Sequence, residues 1–321
     1  LAEGHGCNPC CPDAGRLACG MSVKTLHILL DAPSLKRVRN GTFNFFNRVQ
    51  GIFEAEGWKV VTLVDGPEEQ ARAAAFGGPT LTHMEAPTHD AALTCRRAYI
   101  GAFWRIEKSY ERWGWPVAKT RFEPGDVDPE EAARFFGNWR AWQFQRGVDV
   151  ADDGFVLIPL QGRLLERRSF QSMSPMEMIG EVLARTSCPV VATLHPREAY
   201  TTAEREALEA LERAHGRFEV TEGATDMLLR RCSYIAAQNS SVAFQGYFLE
   251  KPAILFGEID FHHIAGSVPR DGLQAAFDKL REAPDFAAYV TWFLTRDTLN
   301  AGNDTFDRDL PKKLRAHGWH L

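Results

Sequence analysis

YIAAQNSSVAFQGYFLEKPAILFG, residues 234–257, is the stretch on which the reading of the fold turns. An apolar run stops at Asn239, two hydroxyl residues open the helical segment SVAFQGYFLE, and Lys251-Pro252 leads into a second apolar run closed by Gly257. Proline at the start of that run is tolerated because a missing amide there breaks no central ladder. Strand, helix and strand in so short a span form a βαβ unit, and such a unit pairs its strands in parallel.

The same alternation continues on the N-terminal side of this stretch. FVLIPLQ (155–161) reads as a strand, PMEMIGEVLAR (175–185) as a helix opening at Ser174-Pro175, and CPVVATLHP (188–196) as a strand running into His195-Pro196. TAEREALEALERAHG (202–216) is an amphipathic helix ended by Gly216, FEVTEG (218–223) a short strand and ATDMLLRRC (224–232) a helix. This series predicts a Rossmann-like parallel sheet. The segment GVDVADDG (147–154) crowds Asp and Gly together and marks a domain boundary near residue 150, with Asp152-Asp153-Gly154 read as a turn.

Before that boundary, TLHILLD (25–31), a helix from Phe43 to Glu56 and WKVVTLV (58–64) make another βαβ unit. A helical segment at Glu68–Ala75, an aromatic-rich helix around Tyr99–Trp113 and a helix over 129–146 are expected next. The aromatic stretch Tyr99–Trp142 is read as core in preference to an acceptor groove. The expected architecture is α/β, with two Rossmann-like domains whose parallel sheets face an interdomain cleft. Residues 21–150 form the acceptor side and 151–285 the nucleotide-binding side, with a helical tail over 286–321 packing back on the body.

Length and composition agree with two globular domains: 321 residues, 45% hydrophobic and 25% charged. A net charge of −5 argues against broad phosphate neutralisation, so no nucleic-acid partner is expected. No apolar run is long enough for a membrane span and no signal-peptide core is present, which predicts a cytoplasmic protein. Of the seven cysteines, Cys7, Cys10, Cys11 and Cys19 fall in the leader, while Cys95, Cys188 and Cys232 read as reduced core residues. His5, Cys7 and Cys10 have ligand-like spacing, but Met21 opens a clean strand pattern. Residues 1–20 are therefore expected to be a non-native or disordered leader, and no metal is assigned.

In an open parallel sheet, ligands bind beyond the carboxyl ends of the strands. The residues at those positions are Gln161, His195, Glu222, Asn239 with Ser240 and Ser241, and Gly257 with Glu258. At Asn239-Ser240-Ser241 hydroxyls and free amides converge at a helix start, which suits a phosphate, although a serine there also caps a helix. Pro196 holds the backbone of His195 extended so that the imidazole projects, and Arg197 can add a charge-assisted bond to an anion. Across the cleft, Asp31 at the end of the first strand is the positional choice for a general base, or else a turn-former before Ala32-Pro33. Asn40-Gly41-Thr42 reads as an acceptor loop or a plain turn, and Arg37 and Arg39 as contacts for an acidic substrate or as solvated charges.

FVLIPLQ, TLHPRE, AQNSSVAFQGYFLEKPAILFG and EIDFHHIAG, over about residues 155–266, together resemble the bacterial capsular polysaccharide synthesis proteins that include the Kdo transferases. They resemble the bacterial sialyltransferases more distantly. The resemblance implies a metal-independent GT-B glycosyltransferase that takes an acidic sugar, Kdo or sialic-acid-like, from a CMP-activated donor to a polysaccharide or glycolipid acceptor. It places the nucleotide phosphate on His195 and the Ser240-Ser241 pair; the strand-end positions add Gln161, Pro196, Arg197, Glu222 and Asn239 around the donor, and the catalytic residues are expected to be Asp31, by its position, and His195. No cofactor is expected beyond the sugar nucleotide, which enters as substrate, and peripheral association with membrane capsule machinery is the implied setting. The alternatives are a UDP- or GDP-sugar transferase, a sugar-nucleotide epimerase on the same scaffold, or a non-catalytic glycan-binding subunit.

Overall fold

A computed structural model describes residues 24–145 and 147–321 of the chain. His5, Cys7, Cys10, Cys11 and Cys19, and with them the expectation of a leader over residues 1–20, lie outside the described residues. In the first half the elements are β1 (Thr25–Leu30), α1 (Ala32–Arg39), α2 (Asn44–Ala55), β2 (Lys59–Val64), α3 (Pro67–Phe76), β3 (Thr80–His83), β4 (Ala92–Arg97), β5 (Phe103–Glu107), α4 (Pro116–Lys119) and α5 (Pro129–Phe144). The second half holds β6 (Val156–Pro159), α6 (Pro175–Arg185), β7 (Val190–Leu194), α7 (Thr202–Ala214), β8 (Phe218–Glu222), α8 (Thr225–Arg231), β9 (Tyr234–Ala237), α9 (Ser241–Tyr247), β10 (Ala253–Leu255) and β11 (Gly266–Ser267). It closes with α10 (Val268–Asp271), α11 (Leu273–Asp278), α12 (Phe286–Thr295), β12 (Leu299–Asn300) and α13 (Phe306–Ala316).

Two six-stranded sheets result, with orders β12-β5-β4-β3-β1-β2 and β11-β10-β9-β6-β7-β8. Every pairing in the second sheet is parallel. Its strands are short and nearly all apolar, as strands covered on both faces must be. The helices between them start where local chemistry says they should. Ser174 and Thr201 each form a reciprocal capping box, with Glu177 and Glu204.

The first sheet departs from the all-parallel expectation. Strands β2, β1, β3 and β4 are parallel, but β5 returns antiparallel to β4, and β12 is antiparallel to β5. The helix expected around Tyr99–Trp113 is instead a hairpin turn followed by β5. The alternating aromatic and charged residues of FWRIE bury on both faces of the sheet, and that tertiary burial overrides the helical reading. Helix α1, absent from the sequence reading, is nucleated by Asp31 as its N-cap and by Pro33 in its first turn.

The segment after residue 285 is also more than a helical tail. Strand β12 adds an edge to the first sheet, and Phe306, Leu310, Leu314 and Trp319 fill that domain's core. Helix α12 is buried along nearly its whole length. It sits in an apolar cluster shared by both halves, with Phe103, Trp115 and Phe136 from one side and Phe244, Tyr247 and Phe261 from the other. The two sheets are therefore joined by continuous core on one side, and the cleft opens elsewhere.

Arg105 on β5 ties this junction together. Only 1% exposed, it donates from Nη2 to Phe293 O at 2.6 Å and from Nη1 to Arg296 O at 2.8 Å, while its guanidinium rests over the Phe293 ring. Those carbonyls belong to the last turn of α12 and have no partners within the helix. Burial holds the Arg105 guanidinium below its ordinary pKa, with Asp260 and other acidic neighbours opposing. The FHH segment adds further bonds. Tyr99 Oη donates to Asp260 Oδ1, and the His263 ring bridges Tyr289 Oη and Thr120 O at 3.0 Å each. Burial, and then the adjacent His262, pull the His263 pKa down to about 3, so the ring stays neutral.

Replacing Arg105 with Met leaves the buried carbonyl of Phe293 and the part-buried carbonyl of Arg296 without their donor. This change is expected to destabilise the fold by about 2–3 kcal/mol, seen as a lower urea midpoint with an unchanged denaturant slope.

Candidate functional site

Because the second sheet is all parallel, the carboxyl ends of its strands share one edge. Along that edge come Gly257 after β10, Asn239 after β9, Gln161 beyond β6, His195 after β7 and Glu222 at the end of β8. His195 and the Asn239-Ser240 turn thus sit two strands apart, roughly 10 Å at the usual sheet spacing. His195 is exposed; its backbone amide donates to Tyr200 Oη at 2.8 Å, and its Nδ1 accepts from the Arg197 amide at 3.2 Å. That acceptance puts the proton of the neutral ring on Nε2, the nitrogen left to serve a ligand.

Ser240 is buried and caps α9, its Oγ accepting from Val242 N at 3.3 Å, while Ser241 is exposed. The capping hydroxyl keeps its own proton for donation. Gln161 is half-buried, Pro196 is exposed, and Glu222 pairs with Arg205 at 3.3 Å on the surface.

Asp31 stands at the corresponding edge of the first sheet. Its carboxylate accepts from Ser34 N at 2.7 Å and Ser34 Oγ at 2.8 Å, so the helix-capping role is real. The side chain is nonetheless 55% exposed, and His83 Nδ1, at the end of the neighbouring β3, lies 3.5 Å from Oδ2, long for a hydrogen bond. Burial raises the Asp31 pKa, but the two Ser34 bonds and His83 outweigh it and hold the carboxyl below its ordinary range. The His83 ring is packed among Phe43, Phe46 and Trp104. Burial depresses its pKa against the pull of Asp31, which makes it a neutral neighbour of an ionised carboxylate.

A cleft of about 600 Å³ contains Asp31, Arg37, His83 and Arg97 from the first half and Arg197 from the second. Of the residues singled out in the sequence, the structure brings Asp31, Arg37, Thr42 and Arg197 together here. His195, Pro196, Glu222, Ser240 and Ser241 do not line it, and Asn239 opens on a neighbouring cleft. Sequence reading missed His83, whose only signal was its place at the end of the short TLTH run.

The neighbouring cleft, about 520 Å³, is lined by Asn239, Tyr110, Trp113, Phe170 and five arginines: Arg96, Arg112, Arg163, Arg167 and Arg168. Three of these come from the loop after β6, which the sequence reading left without a role. That loop is pinned across the strand ends. Ser172 N donates to Phe256 O and Glu258 N to Phe170 O, each at 2.8 Å, and Gln238 Nε2 donates to Met173 O at 3.1 Å. Among the described residues no three His, Cys, Asp or Glu side chains gather into a metal-binding group, and no helix is long and apolar enough to cross a membrane.

No family model matches the chain, and no curated protein matches it. Among solved structures, the beta Kdo 2,7 transferase KpsC of Thermosulfurimonas dismutans superposes with a TM-score of 0.52 over 92% of this chain and 100% of that one, at 12% identity. The chain has the GT-B fold. The fold shared with that transferase is the one the motif resemblance implied. The beta Kdo 2,4 transferase of the same KpsC gives 0.45 at 16% identity, covering 82% and 88%. A UDP-GlcNAc 2-epimerase of Methanocaldococcus jannaschii gives 0.34 at 10% identity, covering 92% and 100%.

At Gly257 the arginine loop crosses the strand edge in close contact. A Cβ there would lie 3.0 Å from the Phe170 ring and 3.1 Å from Gln238 O. Gly257→Ala is expected to cost about 1–3 kcal/mol and to lift the loop, read as faster proteolytic cleavage within residues 162–173.

Proposed function

We propose that the chain is a glycosyltransferase that moves an acidic sugar from a CMP-activated donor to a glycan or glycolipid acceptor, without a metal ion. The observation that carries this reading is the Asp31 cleft, where an exposed, ionised carboxylate from the first domain shares one space with Arg197 from the His195-Pro196-Arg197 turn of the second. A carboxylate on one wall and a cationic donor on the other are what transfer from a phosphate leaving group requires.

In this mechanism the donor lies along the carboxyl edge of the second sheet, its phosphate against His195 Nε2–H and the hydroxyls of Ser240 and Ser241. Gln161, Glu222 and Asn239 flank the rest of the nucleotide sugar. The acceptor hydroxyl enters beside Asp31, which takes its proton as the oxygen attacks the anomeric carbon. The bond from that carbon to the phosphate oxygen breaks on the far side, and CMP departs with its new charge met by His195 and Arg197. The configuration inverts. Arginine side chains supply the positive charge that a divalent cation supplies elsewhere. Surface glycan synthesis at the inner membrane face is the setting this reading implies.

Donor hydrolysis and transfer by the purified protein, with CMP-, UDP- and GDP-sugars compared, test the reading. Turnover confined to CMP-linked acidic sugars is the expected result; turnover of UDP-GlcNAc to an epimer would replace the reading with an epimerase. Asp31→Asn should lower kcat by about 10²–10⁴-fold while donor affinity, measured by calorimetry, holds. His195→Ala and the Ser240→Ala/Ser241→Ala pair should weaken donor binding instead. The pH profile offers a second check. Asp31 has its pKa below the ordinary 3.8 and His83 below 6.5, so kcat/KM should stay level from neutral pH down through 5 and fall only as Asp31 gains its proton. An acid limb near pH 6.5 would instead point to a histidine base.

A further inference from the structure

The arginine-lined cleft shares Asn239 with the proposed donor edge, but its five arginines have no role in the transfer step proposed at Asp31. Its two walls come from different domains, Arg96 and Arg112 from the first and Arg163, Arg167 and Arg168 from the loop after β6, and among the described residues no carboxylate lines it. Three of the five guanidiniums have protein partners: Arg163 pairs with Glu166, Arg167 Nε donates to Gln171 O at 2.9 Å, and Arg112 uses one nitrogen on Tyr99. Arg96, Arg112 and Arg168 keep unused capacity. Arg168 has Nε and Nη2 buried with no partner, its guanidinium lying 4.9 Å above the Phe170 ring. Arg112 spends Nη1 on Tyr99 Oη at 2.6 Å, and Tyr99 is itself anchored on the fully buried Asp260.

Electrostatics on both walls describe the same imbalance. Burial and then the charge of Arg112 bring the Arg96 guanidinium down to about 10, with Tyr99, Asp260 and Glu85 opposing. Burial and then Arg163 lower that of Arg168 in the same direction. Like charges are crowded on each wall, and the negative groups near them do not enter the cleft. An oxyanion between the walls would relieve both repulsions, and the planar fork of arginine matches a carboxylate or phosphate in two bonds. The mouth carries Trp113 and Phe170, ring centroids 5.9 Å apart, and the volume is that of a small-molecule site.

We propose that this cleft is an oxyanion subsite that holds a carboxylate or phosphate group borne by a sugar, with Arg96, Arg112 and Arg168 as its ligands. The subsite goes beyond the transfer reaction proposed above and does not depend on which donor that reaction uses. It also accounts for the arginines of a loop that is pinned in place rather than left free.

Binding without turnover tests it. Glucose, glucuronate and glucose 6-phosphate are added to the full chain at constant ionic strength, with melting temperature and calorimetry as readouts. Glucuronate, glucose 6-phosphate or both should raise the melting temperature and glucose should not; whichever acts more strongly names the group as carboxylate or phosphate. Arg168→Gln should weaken the responding ligand about tenfold or more, with Arg168→Lys intermediate because it keeps the charge and loses the fork. Arg197→Gln, in the other cleft, should leave the affinity unchanged. Arg96→Gln provides a second probe, and circular dichroism shows whether each variant is folded. The subsite is ruled out if neither anion acts beyond an equal ionic strength of sodium chloride, or if folded Arg168→Gln binds like the parent chain.

Discussion

The guanidinium of Arg105, buried beneath the first sheet and capping the last turn of α12, is the constraint around which this molecule is arranged. Its Nε is buried without a partner, so its desolvation is offset chiefly through Nη1 and Nη2, and only while the Phe293 and Arg296 carbonyls stay in reach. Those carbonyls stay in reach only if α12 remains in the core shared by both halves. Once α12 is placed there, β12 follows it into the first sheet, and α13 has its place beside α2.

The same junction limits how the clefts can move. Tyr99, held at a positive φ of 68° at the tip of the β4–β5 hairpin, inserts its ring among Phe244, Phe261 and Phe293 of the other half. Its hydroxyl links Asp260 to Arg112. A cleft residue is therefore connected to the buried junction by two hydrogen bonds. Any closing motion must pivot about a packed core rather than a free linker, and interiors packed to crystal density shift by discrete repacking.

Charge is distributed unevenly over this scaffold. The chain carries a net charge of −5, yet the two interdomain clefts hold eight arginines between them and one carboxylate, Asp31. Low-dielectric walls of one sign concentrate potential in a cleft, so a globally acidic protein can still attract anions to one place. Overall charge argues against broad nucleic-acid binding, but it carries no information about where the positive charge gathers.

Much of the second domain was legible from its residues. Short apolar runs, capping boxes at Ser174 and Thr201, and polar residues after each run are local signals, and local chemistry decides them. The placement of Gln161, His195, Glu222 and Asn239 on one edge followed from parallel pairing alone. What the chain does between residues 92 and 120, and after 285, depended on partners far away in sequence. FWRIE becomes a strand because β4 and β12 pair with it. His83 faces Asp31 because β3 lies beside β1. Arg96 and Arg112 meet Arg168 because a loop pinned at Gly257 crosses the sheet edge. Periodicity and caps record what a segment can do with its own neighbours in sequence, whereas these juxtapositions are set by long-range packing, which no window of sequence contains.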